Sequence, residues 1–173
     1  PAALAAATEA LKAKAPAVDQ RLERIRAIML VGQADVGNGR PAKDVALSFP
    51  LGLADDGAGG FLVGEFAGGR VRRVDAAGAI GRYVGGSRLA KAEGPLLDVA
   101  IDSPADLVRA ADGTVYVADE LGARVLAIRD GQVKAVAGTG VRGQTPTDGP
   151  ATAVPLFRPV SVAPAGPDTR VQA

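Results

Sequence analysis

The feature that most constrains the fold is a series of short apolar runs separated by polar turns over residues 104–138. The Asp-Gly pairs at Asp112 and Asp130 separate runs rich in β-branched residues, which is typical of an antiparallel β-meander. The runs cover residues 106–108, 114–118, 124–128 and 132–137. A single four-stranded sheet cannot bury both of its faces. We therefore expect the chain to contain further copies of this unit.

Pairs of prolines mark those copies. In each pair the prolines lie nine positions apart, and the second proline recurs after 54 and then 55 positions; the pairs are Pro41 and Pro50, Pro95 and Pro104, and Pro150 and Pro159. The apolar runs at residues 61–65 and 70–74 align without a gap on the runs at 115–119 and 124–128. A repeat of this length indicates a stacked architecture. The sequence therefore predicts two whole units, residues 41–86 and 95–138, and a partial unit over 150–173.

The N-terminal part has a different character. Residues 2–15 are rich in Ala, and apolar residues recur at helical spacing from Val18 onwards, so that residues 1–26 are predicted to form an α-helical segment or linker. The run 28–32 occupies the place of an outer strand in the repeat register. We therefore place the boundary between the helical segment and the β domain at residues 26 and 27.

Composition excludes several classes of function. The 173-residue chain has 20 basic and 19 acidic residues, and this balance gives no electrostatic reason to expect binding to nucleic acid. The absence of His and Cys removes the commonest general base and the commonest transition-metal ligands. The apolar run at residues 27–31 is far shorter than the roughly 20 residues of a membrane-spanning helix. We expect no catalytic residue, no metal, no cofactor and no membrane span.

Three stretches of the sequence resemble the NHL-repeat family of β-propellers, in particular its bacterial members. The first is Pro-x-x-Leu followed by Asp-Gly-x-Val-Tyr-Val-Ala-Asp and Arg-Val, at residues 104–125. The others are Ala-Gly-Thr-Gly at 137–140 and the loop 148–153, which leads to Pro159. The resemblance covers about residues 28–173. It implies an all-β fold of four-stranded antiparallel blades arranged around a channel, with the strands that begin at the repeated prolines innermost.

The number of blades departs from the pattern of the family. Closed propellers use about four to eight blades, whereas this sequence contains two whole blades and parts of others. Either the chain is a piece of a larger protein, or several copies associate as a homo-oligomer to close the ring. Both alternatives remain open at this point.

The candidate site residues are charged and recur in both units. Glu65 and Asp119 end the second strand of each unit, Glu120 follows Asp119, and Arg70 and Arg124 come five residues after the two acids. In a structural interpretation, each acid caps backbone N–H groups or pairs with its Arg across the hairpin. In a functional interpretation, these five residues line a binding face together with the long loops 85–103 and 138–158.

Other loops carry weaker signals. Residues 55–60, Asp-Asp-Gly-Ala-Gly-Gly, lack the ligand spacing of an EF-hand and are predicted to form an ordinary turn. Residues 37–39 and 138–143 are rich in glycine, but neither stretch has the Lys-Ser/Thr of a phosphate-binding loop or opens a predicted helix. We assign no ligand to these loops.

The sequence favours a non-catalytic propeller module that recognises a protein or a ligand, either as an accessory subunit or as part of a larger protein. The alternative is a six-bladed enzyme of the calcium-dependent lactonase type, which shares the phrase Asp-Gly-x-Val-Tyr-Val-Ala-Asp. By resemblance, such a site needs Glu, Asp and Asn oxygens on one Ca²⁺, and the only Asn of this chain, Asn38, lies in a loop between units. The sequence does not fix the location, and our expectation is extracytoplasmic, periplasmic or secreted.

Overall fold

The computed structural model describes residues 37–86, 91–143 and 148–164, which all belong to a compact unit, Gly37–Ala173. The predicted helical segment at residues 1–26 and the predicted outer strand at 28–32 lie outside the described residues. In the described ranges the regular structure is almost entirely β, with one short 3-10 turn at Ala42–Asp44. None of the helical structure described there has the length and apolar character needed to cross a membrane.

The strands form two antiparallel sheets of five strands each. The first sheet has the order β1-β5-β4-β3-β2, and its strands are β1 (Arg40–Pro41), β2 (Pro50–Asp55), β3 (Phe61–Glu65), β4 (Arg70–Val74) and β5 (Ala79–Gly85). The second has the order β6-β10-β9-β8-β7, and its strands are β6 (Gly94–Pro95), β7 (Pro104–Arg109), β8 (Val115–Asp119), β9 (Arg124–Arg129) and β10 (Gln132–Ala137). The predicted four-stranded meander is confirmed in both units. A fifth strand of two residues, β1 or β6, is added at the outer edge of each.

The register of the two sheets is the same, and it includes an irregularity in the outermost long hairpin. Val71 pairs with Val84 and Arg72 with Arg82 in the first sheet, so that one residue of β5 is left over. In the second sheet, β10 has the corresponding extra residue between Ala135 and Ala137. A β-bulge adds one residue to one strand of a pair and bends it. The bulges lie at equivalent places in the two blades, so the one-residue shift arises in the turn before them, where Val74 and its partner Ile80 are six positions apart and Ile128 and its partner Val133 are five.

The two sheets pack face to face, as adjacent blades of a β-propeller do. Alternate residues of the first sheet, among them Leu62, Val71 and Val84, form one buried cluster with Leu107, Val115, Val117, Leu126, Ile128 and Val133 of the second. At the edge where β2 meets β7, a Cβ on Gly52 would lie 2.9 Å from the Cα of Asp106. The two strands that begin at Pro50 and Pro104 are therefore in close contact. Such contact is expected if these strands are the innermost ones of their blades.

The opposite face of the second blade is covered by the chain that follows it. Val162 packs against Ala118, Val125 and Ala137. The side chain of Asp106 accepts hydrogen bonds from the Ser161 hydroxyl (2.8 Å) and from the Val162 N–H (3.1 Å). Residues 148–164 contain no strand. The partial third blade over 150–173 therefore stays a prediction, and residues 165–173 lie outside the described ranges.

The other face of the first blade is exposed along β2, although Val63 and Arg72 on the same face are buried. Leu53 is 65% exposed, whereas Leu107, its equivalent in the second blade, is 3% exposed because the first blade covers it. Leu51 and Phe61 are exposed on the same face as Leu53. This apolar surface corresponds to the one that a preceding blade covers in the repeating arrangement.

Candidate ligand-binding face

The two acids at the ends of β3 and β8 hold the loop that leads into their own blade. In the second blade, Oδ1 of Asp119 accepts hydrogen bonds from the backbone N–H groups of Asp102 (3.0 Å) and Ser103 (2.9 Å). In the first, Oε1 of Glu65 accepts one from the N–H of Ser48 (2.7 Å). Ser48 and Asp102 both lie two residues before the proline that begins the inner strand. The acids thus perform the same task 54 residues apart.

The second carboxylate oxygen of each acid pairs with the arginine across the hairpin. Asp119 Oδ2 accepts a hydrogen bond from Arg124 Nε at 3.1 Å, and Glu65 Oε2 accepts one from Arg70 Nε. The side chains of Glu65 and Asp119 have no exposed surface. Burial raises the pKa of the Asp119 carboxyl, while the Ser103 N–H and Arg124 act in the opposite direction. The structure thus shows both contacts of the structural interpretation, and it places these two carboxylates beneath the surface.

Arg124 reaches from its ion pair to the neighbouring loop. Its NH1 group donates to the carbonyl of Ala92 (3.2 Å) and its NH2 group to the carbonyl of Ala100 (2.7 Å). The guanidinium therefore joins the hairpin turn to both arms of the loop before β7. Its side chain remains 11% exposed. The charge of Arg124 therefore reaches the surface, whereas that of Asp119 is fully buried.

Glu120 connects the second blade to the chain beyond it. Its side chain forms an ion pair with Arg158, and its backbone N–H donates to the carbonyl of Ser103 (3.0 Å). Arg158 was not predicted as a site residue. The sequence carries a signal for it, because the residue before the repeated proline is Phe49, Ser103 and Arg158 in the three units. This position carries a charge in the third unit alone, so Arg158 is not part of the repeated pattern.

The structure brings the predicted loops together at one end of the blades. Gly86 N–H donates to the carbonyl of Gly69 (2.9 Å), and a Cβ on Gly85 would lie 2.7 Å from the same oxygen. In the second blade, a Cβ on Gly138 would overlap the carbonyl of Ala123. Each blade thus closes with a glycine of positive φ packed on the turn before its third long strand. We call the end formed by residues 65–70, 85–86, 91–102, 119–124, 138–143 and 156–158 the loop face.

A cavity of about 240 Å³ opens on the loop face beside Arg124. It is lined by Lys91, Ala92, Ala100, Asp102, Gly122, Arg124 and Gly140. Lys91 and Asp102 were missed in the sequence analysis, which followed residues common to both units. In the 54-residue register these two positions correspond to Gly37 and Ser48, so the charges at the rim occur in the second unit and not in the first.

The turn at residues 55–60 lies at the other end of the blade and has the contacts of an ordinary Asx turn. Asp56 Oδ1 accepts hydrogen bonds from the N–H groups of Ala58 and Gly60, both at 2.8 Å, and Oδ2 pairs with Arg73. The Ala58 N–H, followed by Arg73, lowers the pKa of the Asp56 carboxyl. Over the described residues, no group of three or more His, Cys, Asp or Glu side chains is arranged to hold a metal ion.

Comparison with known proteins supports the fold. No protein-family model matches the sequence, and no curated protein matches it. A solved structure of a protein of unknown function from Bacteroides thetaiotaomicron VPI-5482 is 20% identical, with a TM-score of 0.53 over 60% of this chain and 26% of that one. A streptogramin B lyase structure is 18% identical, with a TM-score of 0.40 over 51% and 26% of the two chains. The similarity thus spans about a quarter of each of those chains.

Proposed function

We propose that this chain is a non-catalytic β-propeller module of the NHL-repeat type that recognises a protein partner through its loop face. The observation that carries the proposal is the cluster around the Glu120–Arg158 ion pair. The pair joins two loops, and their neighbouring residues Leu121 and Phe157 are 41% and 51% exposed. Aromatic and Arg side chains contribute most of the energy of many protein interfaces. We call Leu121, Phe157 and Arg158 the recognition cluster.

Asp119, Glu120 and Arg124, which were predicted from the sequence, hold the residues of this cluster in place. The Asp119–Arg124 pair fixes the turn that bears Leu121, and the buried carboxylate of Glu120 orients the Arg158 guanidinium, which is 53% exposed. A surface that is already ordered loses less conformational entropy when a partner binds. In this proposal, Glu65 and Arg70 hold the equivalent turn of the first blade in the same way.

The module acts as an accessory subunit or as part of a larger propeller. The exposed apolar face of Leu51, Leu53 and Phe61 supports this, because the equivalent face of the second blade is buried by a neighbouring blade. The pattern at residues 104–125 supports membership of the NHL-repeat family and a bacterial source. An extracytoplasmic location belongs to the same proposal.

The experiment is capture of the partner by the immobilised chain from an extract of the cells that produce it, with the captured protein identified by mass spectrometry. The variants Leu121→Arg and Arg158→Glu change the recognition cluster and leave the Asp119–Arg124 pair intact. We expect each to weaken capture by at least about tenfold, since a charge reversal or a buried Arg at an interface centre costs more than 1.4 kcal/mol.

Lys134→Glu serves as the matched control, because Lys134 is exposed on β10, outside the loop face. Circular dichroism and thermal unfolding check that all three variants fold alike. If both cluster variants retain the partner at the level of the control, the loop face is not the recognition surface.

A further inference from the structure

The Arg124 guanidinium at the cavity is fixed in place before any ligand arrives. Arg carries five N–H donors. One each on Nε, NH1 and NH2 is engaged by Asp119, Ala92 and Ala100. Two N–H groups remain on a guanidinium that lines the cavity. A fixed guanidinium with free N–H donors is a ready binding site for a carboxylate, because little side-chain entropy is lost on binding.

Two opposite charges stand at the rim of the same cavity. Lys91 and Asp102 both line it, and both are exposed. Neither side chain forms a salt bridge with the other or with any residue of the described part of the chain. The first blade has Gly37 and Ser48 at these positions. The pair of charges is therefore a property of this cavity and not of the repeat.

The remaining wall consists of small residues, which keep the cavity empty of side chains. Gly122 has no room for a Cβ, which would overlap the Asp119 carboxylate. Gly140 has a φ of +78°, and Ala92 and Ala100 complete the wall. The cavity, of about 240 Å³, has room for a molecule of the size of a free amino acid.

We propose that this cavity binds a small zwitterion that carries a carboxylate and an ammonium group, as a free α-amino acid does. The carboxylate binds the two remaining N–H groups of Arg124 together with the ammonium of Lys91. The ammonium of the ligand pairs with Asp102. The charge of Arg124 is balanced by Asp119, and that of Lys91 by Asp102, so the site is neutral overall. A neutral site with separated charges favours a zwitterion over a simple anion or a simple cation.

The test is isothermal titration calorimetry of the full chain with three small probes. L-Alanine carries both groups, propionate lacks the ammonium, and ethylammonium lacks the carboxylate. We expect saturable binding of L-alanine, or of a larger member of the twenty amino acids, with propionate and ethylammonium at least about tenfold weaker. Equal binding of propionate and L-alanine would overturn the proposal in favour of a plain anion site. Absence of saturable heat with all twenty amino acids at millimolar concentrations would also overturn it.

Two variants locate the binding. Lys91→Met and Asp102→Asn each remove one rim charge, and we expect each to lower the affinity for the zwitterion by about tenfold. The matched controls are Lys43→Met and Asp98→Asn, which are exposed and do not line the cavity. If the rim variants bind as the controls do, the site lies elsewhere.

The cavity proposal and the proposed partner recognition can be tested independently. The cavity residues Lys91 and Asp102 are not members of the recognition cluster, so their variants are expected to capture the protein partner as the parent chain does. Conversely, Leu121→Arg is expected to lose the partner and still bind the zwitterion. Failure of the parent chain to bind any amino acid contradicts only the cavity proposal, and failure of the parent chain to capture a protein partner leaves the cavity proposal intact.

Discussion

Asp119 and Arg124 form an ion pair, with 3.1 Å between Oδ2 and Nε, at the point where the second blade meets the loop that leads into it. Asp119 holds that loop through two backbone N–H groups, and Arg124 holds it through two backbone carbonyls. The pair therefore stabilises a loop in which the described residues contain one strand, the two-residue β6. Glu65 and Arg70 form the corresponding pair in the first blade.

Replacement of Asp119 is expected to separate the two tasks of its carboxylate. Asp119→Ala leaves two N–H groups and a largely buried Arg124 without their acceptor, and breaking a buried pair in this way costs about 3–5 kcal/mol of unfolding free energy. Asp119→Asn keeps an oxygen for the N–H groups of Asp102 and Ser103, so we expect a clearly smaller loss. Urea unfolding measures both. Asp98→Ala, an exposed position, is the control, and equal losses in the Ala and Asn variants would show that the charge and not the loop contact matters.

Asp56 is expected to make the stability depend on pH. Its pKa is lowered in the folded chain, first by the Ala58 N–H and then by Arg73. A lowered folded pKa means that the stabilisation is present above the unfolded pKa of about 3.9 and is lost as the pH falls through the folded value.

The variant Asp56→Asn tests this directly. We expect it to be less stable than the parent chain at pH 6, with the difference in urea midpoint shrinking as the pH falls below 4, because the protonated acid and the amide then carry the same charge. Asp44→Asn, at an exposed position with no side-chain partner in the described ranges, provides the comparison. A difference between Asp56→Asn and the parent that stays constant from pH 6 to pH 3 would contradict the prediction.

The contact between the inner strands is expected to admit no side chain at Gly52. A Cβ there would lie 2.9 Å from the Cα of Asp106 and 3.0 Å from the N of Leu107, and both are backbone atoms that cannot rotate away. Gly52→Ala should therefore destabilise the chain by about 1–3 kcal/mol, as overpacked cores do. Gly81→Ala is the matched control, because Gly81 also lies in a strand and a Cβ there meets no atom within 4 Å. Thermal unfolding that shifts equally in the two variants would contradict the close packing of the blades.

The strands could be predicted from the sequence because their information is local. Alternating β-branched residues and Asp-Gly turns specify each hairpin, and the proline register specifies the repeat. The strand β6 could not be found in this way, since a strand of two residues has no periodicity. The Glu120–Arg158 pair joins residues 38 positions apart, and the cavity between Lys91 and Asp102 forms where the loop 91–102 folds onto the turns of its own blade, so neither has a local sequence pattern. Comparison of the units at equivalent positions would have found Lys91, Asp102 and Arg158, because each is a charge in one unit alone.

The link between the second blade and the chain beyond it is expected to depend on Asp106. Its Oδ2 accepts hydrogen bonds from both the Ser161 hydroxyl and the Val162 N–H, and Val162 is buried against Ala118 and Val125. Asp106→Ala removes both bonds, so we expect the Val162 amide to exchange with deuterium about tenfold faster, as loss of a hydrogen bond worth about 1.4 kcal/mol allows.

Ser161→Ala is the control for that experiment, because it removes the hydroxyl and leaves the bond from Val162 to Asp106. Its Val162 amide should exchange at a rate close to that of the parent chain. Amides of the first blade, such as that of Val71, should keep their protection in both variants, since the change is local. Faster exchange in Asp106→Ala alone would support the prediction that residues 150–173 begin a third blade, whose first segment Asp106 holds against the second blade. Unchanged exchange at Val162 in Asp106→Ala would show that apolar packing alone holds this segment in place.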